Sequence, residues 1–210
     1  MAQKTTGIYQ LTQIPALYAT FQRMLGGDRA RQGLVADHIR PKPGERVLDL
    51  GCGSAAILPY LGEVDYVGID LNPEHIAQAR ATHGDRGTFH SGDFGSLPVD
   101  RKNTFDLVLC LGILHHLDDI RMSELVAMAR GYLAPGGRFI AVDPVFEDGQ
   151  PPIARWLAKL DSGKCVRTAP QYAALIASAF ECCTTTVRHD LLQVPYSHCI
   201  CSATVGAARA

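Results

Sequence analysis

Apolar positions in the central part of the chain alternate between two rhythms. Short, nearly continuous apolar runs suit strands buried on both faces, and they occur over residues 47–50, 66–70, 88–91, 105–110 and 138–142. Between them lie segments with helical spacing. Asn72, Pro73 and Glu74 provide an N-cap, an N1 proline and a first-turn acid. Asp118 caps a helix carrying Met122, Leu125, Val126 and Ala129 on one face, which the run from Leu133 to Gly137 ends. Strand and helix alternating in this way predict an α/β fold with a doubly wound parallel sheet.

The flanks read differently. Leu17, Phe21, Met24 and Leu25 recur at helical spacing, and Asp28 caps a second helix with Leu34, Val35 and Ile39, halted at Pro41-Lys42-Pro43-Gly44. Residues 144–152 form a loop, and residues 153–160 and 171–180 are short helices. Residues 184–191 and 198–205 alternate as an antiparallel pair at one sheet edge, for seven strands in all.

Length and charge narrow the class. The chain has 210 residues, 47% hydrophobic and 20% charged, with 20 basic against 21 acidic side chains, as expected for one globular domain. So even a balance supplies no general footprint for nucleic acid or anionic lipid. Residues 1–6 lack the apolar core of a signal peptide, and no run reaches the roughly 18 apolar residues of a membrane span. Seven scattered cysteines suit reduced thiols in the cytoplasm.

The richest stretch follows the first strand. Gly51 and Gly53 allow a sharp turn against a ligand, Ser54 can start a helix there, and Asp49 places a carboxylate at the mouth of the crevice. Residues 51–56 also satisfy a loose dinucleotide pattern. A pyrophosphate, however, would be repelled by Asp49, which instead attracts a cation. Asp70, ending the second strand, has the spacing of a carboxylate that accepts ribose hydroxyls.

Asp49-x-Gly51-x-Gly53 resembles the first motif of class I S-adenosylmethionine-dependent methyltransferases, with Ala55 where the family often has a third glycine. The resemblance implies a Rossmann-like sheet with an antiparallel last strand and an N-terminal helical lid. The divisions expected are a lid over 1–40, a cofactor-binding core over 41–143 and a substrate side over 144–210. It implies S-adenosylmethionine as cofactor. Asp49, Gly51 and Gly53 would surround the methionine moiety and Asp70 the ribose, with Leu71 beside it. Asp93 would take the adenine amino group, the Phe94 backbone N–H a ring nitrogen, and Leu111 would open a segment beside the methyl group. Tyr9 and Tyr18 from the lid would lie near the sulfonium.

Methyl transfer needs alignment first, and a base only when the acceptor holds its proton. His115 and His116 follow the fourth strand, with His115 preferred as nearer the strand end; Tyr18 is a further catalytic candidate. Tyr9, His115, Arg155 and His189 are candidates for acceptor binding, and His198 is a weaker candidate base. Arg155, Lys159, Lys164 and Arg167 form a basic stretch that suits a solvated helix face or an anionic group. Cys182-Cys183 and His198-x-x-Cys201 fail as metal ligands, since adjacent strand cysteines point to opposite faces.

Methyltransferases of nucleic-acid bases resemble one another in an Asn/Asp-Pro-Pro-Tyr/Phe segment, where this chain has Leu111-Gly112-Ile113-Leu114. A small acceptor, such as a natural product methylated on oxygen, is therefore expected, with no nucleic-acid or membrane partner. S-, N- and C-methylation, and either a monomer or a homodimer, remain open. The rival classes are a nicotinamide-dependent oxidoreductase and a silent binder of the same cofactor.

Overall fold

The computed structural model describes residues 27–97, 103–160 and 164–206. Eight strands, β1 (Arg46–Leu50), β2 (Asp65–Asp70), β3 (Gly87–Ser91), β4 (Phe105–Leu111), β5 (Leu133–Phe146), β6 (Arg167–Thr168), β7 (Cys183–Arg188) and β8 (His198–Thr204), make one sheet. Their order is β3-β2-β1-β4-β5-β8-β7, with the two-residue β6 beside the end of β5. Strands β1 to β5 pair in parallel, and β8 runs antiparallel to both β5 and β7. This is the expected mostly parallel Rossmann-like sheet with antiparallel pairing at its C-terminal end. Strand order reverses between β1 and β4, which opens a crevice beyond their carboxyl ends.

Alternation along the central strands sends side chains into two cores. Leu48, Leu50, Val108 and Cys110 meet Met122, Leu125, Val126 and Ala129 of α3 (Asp119–Tyr132) and Tyr172 and Ile176 of α5 (Ala169–Ala177). Val47, Leu107 and Leu109 face Leu34 of α1 (Gly27–Leu34) and Ile76 and Ala79 of α2 (Pro73–His83). Each buried Leu, Ile or Met contributes roughly 1.5–3 kcal/mol, so helices on both faces are required. The caps act as the residues dictate: Asn72 accepts from the Glu74 N–H at 2.9 Å and Asp118 from the Arg121 N–H at 2.9 Å.

Several local expectations are corrected. No α-helix starts at Ser54; the chain turns and makes a single 3-10 turn at Leu58–Tyr60. Ala55 at φ 55° leaves helical space and Pro59 lacks an N–H, so an α-helix cannot propagate there. Asp28 lies inside the first turn of α1, 3.2 Å from Arg31, rather than capping it. A π turn at Val35–Ile39 then ends at Arg40. Residues 133–137, expected to close the preceding helix, already belong to β5. β7 stops at Arg188, whose guanidinium grips Asp190 with two hydrogen bonds, so His189 lies in the β7–β8 loop.

Of the lid expected over residues 1–40, residues 1–26, with Tyr9 and Tyr18, lie outside the described residues. Among those described, no helix is long and apolar enough to cross a membrane.

Candidate functional site

The ends of β1 and β2 lie side by side, and the turn after β1 is tied to β2: Gly51 and Cys52 N–H groups both donate to the Ile69 carbonyl, at 2.8 and 3.0 Å. Gly51 has φ 76°, and a Cβ there would collide with the Ile113 side chain. Glycine is required twice over, by the backbone and by the close approach of the β4 loop. Gly53, φ 54°, donates its N–H to Asp70 Oδ2 at 2.9 Å.

Asp70 is thereby built into the turn. Its Oδ1 accepts from the Asn72 N–H at 2.8 Å and faces His75 Nδ1 at 3.6 Å. Burial pushes its pKa up, but His75, Asn72 and Gly53 outweigh that and hold the carboxyl below its ordinary value.

Asp49 does not stand at the crevice mouth. It lies beneath the turn, 2% exposed, because its side chain shares the β1 face that buries Val47. Oδ2 accepts from the Tyr66 hydroxyl at 2.6 Å, while Oδ1 is buried with no hydrogen-bond partner. Burial raises its pKa to about 7, against the Tyr66 hydrogen bond and with help from the Asp70 charge. An unclaimed carboxylate oxygen under a glycine turn fits a ligand's ammonium group and rejects a phosphate.

Leu71 follows Asp70 and is 63% exposed, an apolar side chain left at the β2 end. Asp93 stands beyond β3, the strand beside β2, and accepts from the Phe94 N–H at 2.7 Å. The backbone donor that the resemblance assigns to adenine is thus engaged by its own cap. Phe94 packs against the larger core, and Leu111 is the half-buried last residue of β4. Asp49, Gly51, Gly53, Asp70 and Leu71 accordingly meet at two adjacent strand ends, with Asp93 one strand further out.

A second cluster follows β4. His115 sits in a 3-10 turn, Leu114–His116, and is 4% exposed. Its Nδ1 is 2.6 Å from Asp143 Oδ1, which also accepts the His115 backbone N–H at 3.0 Å. Asp143 ends the apolar run of β5; burial raises its pKa, against the opposing pull of His115. Periodicity did not single it out, although an acid directly after a buried strand was a usable signal. His116 is exposed and its ring lies tilted against that of His115, with centroids 4.1 Å apart.

Arg167 holds this turn and is buried, contrary to its reading as part of a solvated basic face. It donates to Asp119 Oδ1 at 3.0 and 2.7 Å, to the Leu114 and Cys165 carbonyls at 3.1 and 3.0 Å, and to the Leu117 carbonyl at 2.8 Å. The Cys165 N–H completes the brace by donating to the His115 carbonyl at 3.0 Å.

The remaining candidates meet at Glu147, just past β5. Arg155 is exposed, its guanidinium 5.1 Å over the Phe146 ring and 3.5 Å from the Glu147 carbonyl. His189 Nε2 is 3.3 Å from Glu147 Oε1, and its Nδ1 is 3.0 Å from Ser197 Oγ. His198 opens β8 and packs against the Tyr196 ring at a tilt of 52°.

Residues 47–137 match the profile of a family described as a methyltransferase domain. An uncharacterised methyltransferase of Synechocystis is 29% identical over 137 residues, covering 62% of this chain and 64% of that protein. An O-methyltransferase of Pyrenophora dematioidea is 32% identical over 133 residues, covering 58% and 49%. The chain thus spans less than two thirds of the length of these curated relatives. Human N-acetylserotonin methyltransferase, solved with its S-adenosylmethionine, superposes with a TM-score of 0.67 at 19% identity, over 97% of this chain and 60% of that one, a likeness of fold. With this sheet order and the Asp49-x-Gly51-x-Gly53 turn at its switch point, the chain carries a segment similar to a methyltransferase domain on the Rossmann-like fold of such enzymes.

Proposed function

We propose that the protein transfers a methyl group from S-adenosylmethionine to a small acceptor, with oxygen the favoured atom. The observation that carries this reading is the unpartnered Oδ1 of Asp49 beneath the Gly51–Gly53 turn, beside Asp70. Asp49 would neutralise the ammonium group, Asp70 would accept from ribose hydroxyls, and Leu71 and Asp93 would flank the adenine. S-adenosylmethionine, when bound, supplies an electrophilic methyl carbon; the acceptor atom forms the new bond to it as the carbon–sulfur bond breaks and the sulfur keeps the electron pair. The Pyrenophora relative's name as an O-methyltransferase supports oxygen as acceptor.

An acceptor hydroxyl must lose its proton to balance this step. A base has to touch its acceptor, and His115 is buried against Asp143 while His116 is exposed beside it. The contacting role therefore moves from His115 to His116, and His115 with Asp143 becomes the anchor that sets its position.

Thermal unfolding with S-adenosylhomocysteine or NADH tests the cofactor. The melting temperature should rise with the first and not with the second; the reverse outcome would return the protein to the oxidoreductases. Transfer of labelled methyl from S-adenosylmethionine to hydroxylated acceptors then tests the reaction. His116→Ala should retain S-adenosylhomocysteine binding and lose turnover most near neutral pH, with the loss shrinking at high pH, where the acceptor hydroxyl ionises unaided.

A further inference from the structure

The helix after β5, α4 (Pro152–Leu160), carries apolar side chains on two sides. Ala154 and Ala158, four residues apart, are 2% and 0% exposed and set the helix against β5. Ile153 and Trp156, three residues apart, share another side and are 61% and 59% exposed. Half-buried Leu157 lies between the two sides. A single exposed hydrophobe is ordinary, but an isoleucine and an indole together on one helix face make a patch that calls for a cover.

Residues 1–26 of the same chain have the surface to cover it. Leu17, Phe21, Met24 and Leu25 recur at helical spacing, and that spacing puts Arg23 on the side away from their stripe. Residues 1–26 contain no acid, so the stripe can meet Trp156 without burying a charge. Position favours the meeting as well. The stripe ends two residues before α1, and α1 and α4 adjoin successive parts of one loop. Arg29 and Gly33 of α1 share a groove with Asp190 and Leu191, while Ala154 of α4 shares one with Leu192. Asp37, just beyond α1, pairs with Arg188 at 2.9 Å and fixes α1 to the start of that loop.

The patch is too small for a second copy of the chain. Two side chains fall far short of the roughly 800 Å² that each partner of a stable dimer buries. A segment tethered within two residues of α1 needs less area, because it meets the face at an effective concentration on the order of mM.

We propose that residues 17–25 dock their apolar stripe on the Ile153–Trp156 face of α4. This docking does not rest on the methyl-transfer reading.

Trp156 is the only tryptophan in the chain, so its fluorescence reports on the face directly. In the whole 210-residue chain its emission should lie to the blue of a water-exposed indole, at every protein concentration. Phe21→Asp should move the emission to the red and make acrylamide quenching about twofold steeper or more. Reciprocally, Ile153→Asp, at an exposed position, should speed tryptic cleavage after Arg23 by about tenfold, read by mass spectrometry. Water-like emission from the native chain, or blue emission that Phe21→Asp leaves in place, would overturn the proposal. So would a blue shift that appears only as protein concentration is raised, the mark of a second copy. If Phe21→Asp prevents folding, the Ile153→Asp digestion decides, and cleavage after Arg23 at the native rate rejects the docking.

Discussion

His115 and Asp143 hold one another through a single carboxylate oxygen, which accepts both the imidazole Nδ1–H at 2.6 Å and the backbone N–H at 3.0 Å. Asp143→Ala leaves two buried donors unpaired and should cost about 3 kcal/mol in a denaturant titration. Asp143→Asn keeps an acceptor oxygen and should cost clearly less. Both should bind S-adenosylhomocysteine as the native protein does, since Asp143 stands apart from the glycine turn.

Arg167 is the second brace of the same turn. Arg167→Ala removes the donors of three backbone carbonyls at once, and a loss of about 2–4 kcal/mol is expected. Arg167→Lys retains the charge but not the planar fork, so it should recover only part of that loss. If Lys restores full stability and full turnover, the fork geometry has no role.

Asp49 makes cofactor affinity depend on pH. Its folded pKa of about 7 lies above the unfolded value near 4, so ionising it costs the ligand-free protein stability. That cost is absent below about pH 4, grows as pH rises and is complete above about pH 7. Asp49→Asn should therefore be more stable than the native protein at pH 8, with the gap closing toward pH 4. An ammonium ligand needs the ionised form, so S-adenosylhomocysteine should bind more tightly as pH rises through about 7. The variant should bind weakly at every pH; a pH-independent native affinity would remove the ammonium–Asp49 contact.

Ala55 tests the backbone argument. Removing its buried methyl costs about 0.8 kcal/mol, and glycine adds about 0.4–1 kcal/mol of unfolded-chain entropy. Relief of the left-handed strain at φ 55° returns about 1–2 kcal/mol. Ala55→Gly should therefore lie within about 1 kcal/mol of the native protein. Ala79→Gly, equally buried but inside α2, has no strain to relieve and should lose about 2 kcal/mol. Equal losses would show that Ala55 carries no strain.

The central strands and the helix caps at Asn72 and Asp118 were legible along the chain, because they depend on neighbours within a few residues. Val47, Leu48 and Leu50 announce a strand buried on both faces, and Asn72 and Asp118 announce helix starts, wherever the rest of the chain goes. The Asp49-x-Gly51-x-Gly53 turn was readable for the same reason. What the tertiary structure alone decided was which polar groups lose water and whom they meet. Asp49 sinks beneath its own turn, Arg167 leaves the basic face to brace a loop 50 residues away, and Asp143 finds His115 across 28 residues. Burial and long-range pairing depend on how separate strands stack, and no local spacing carries that information.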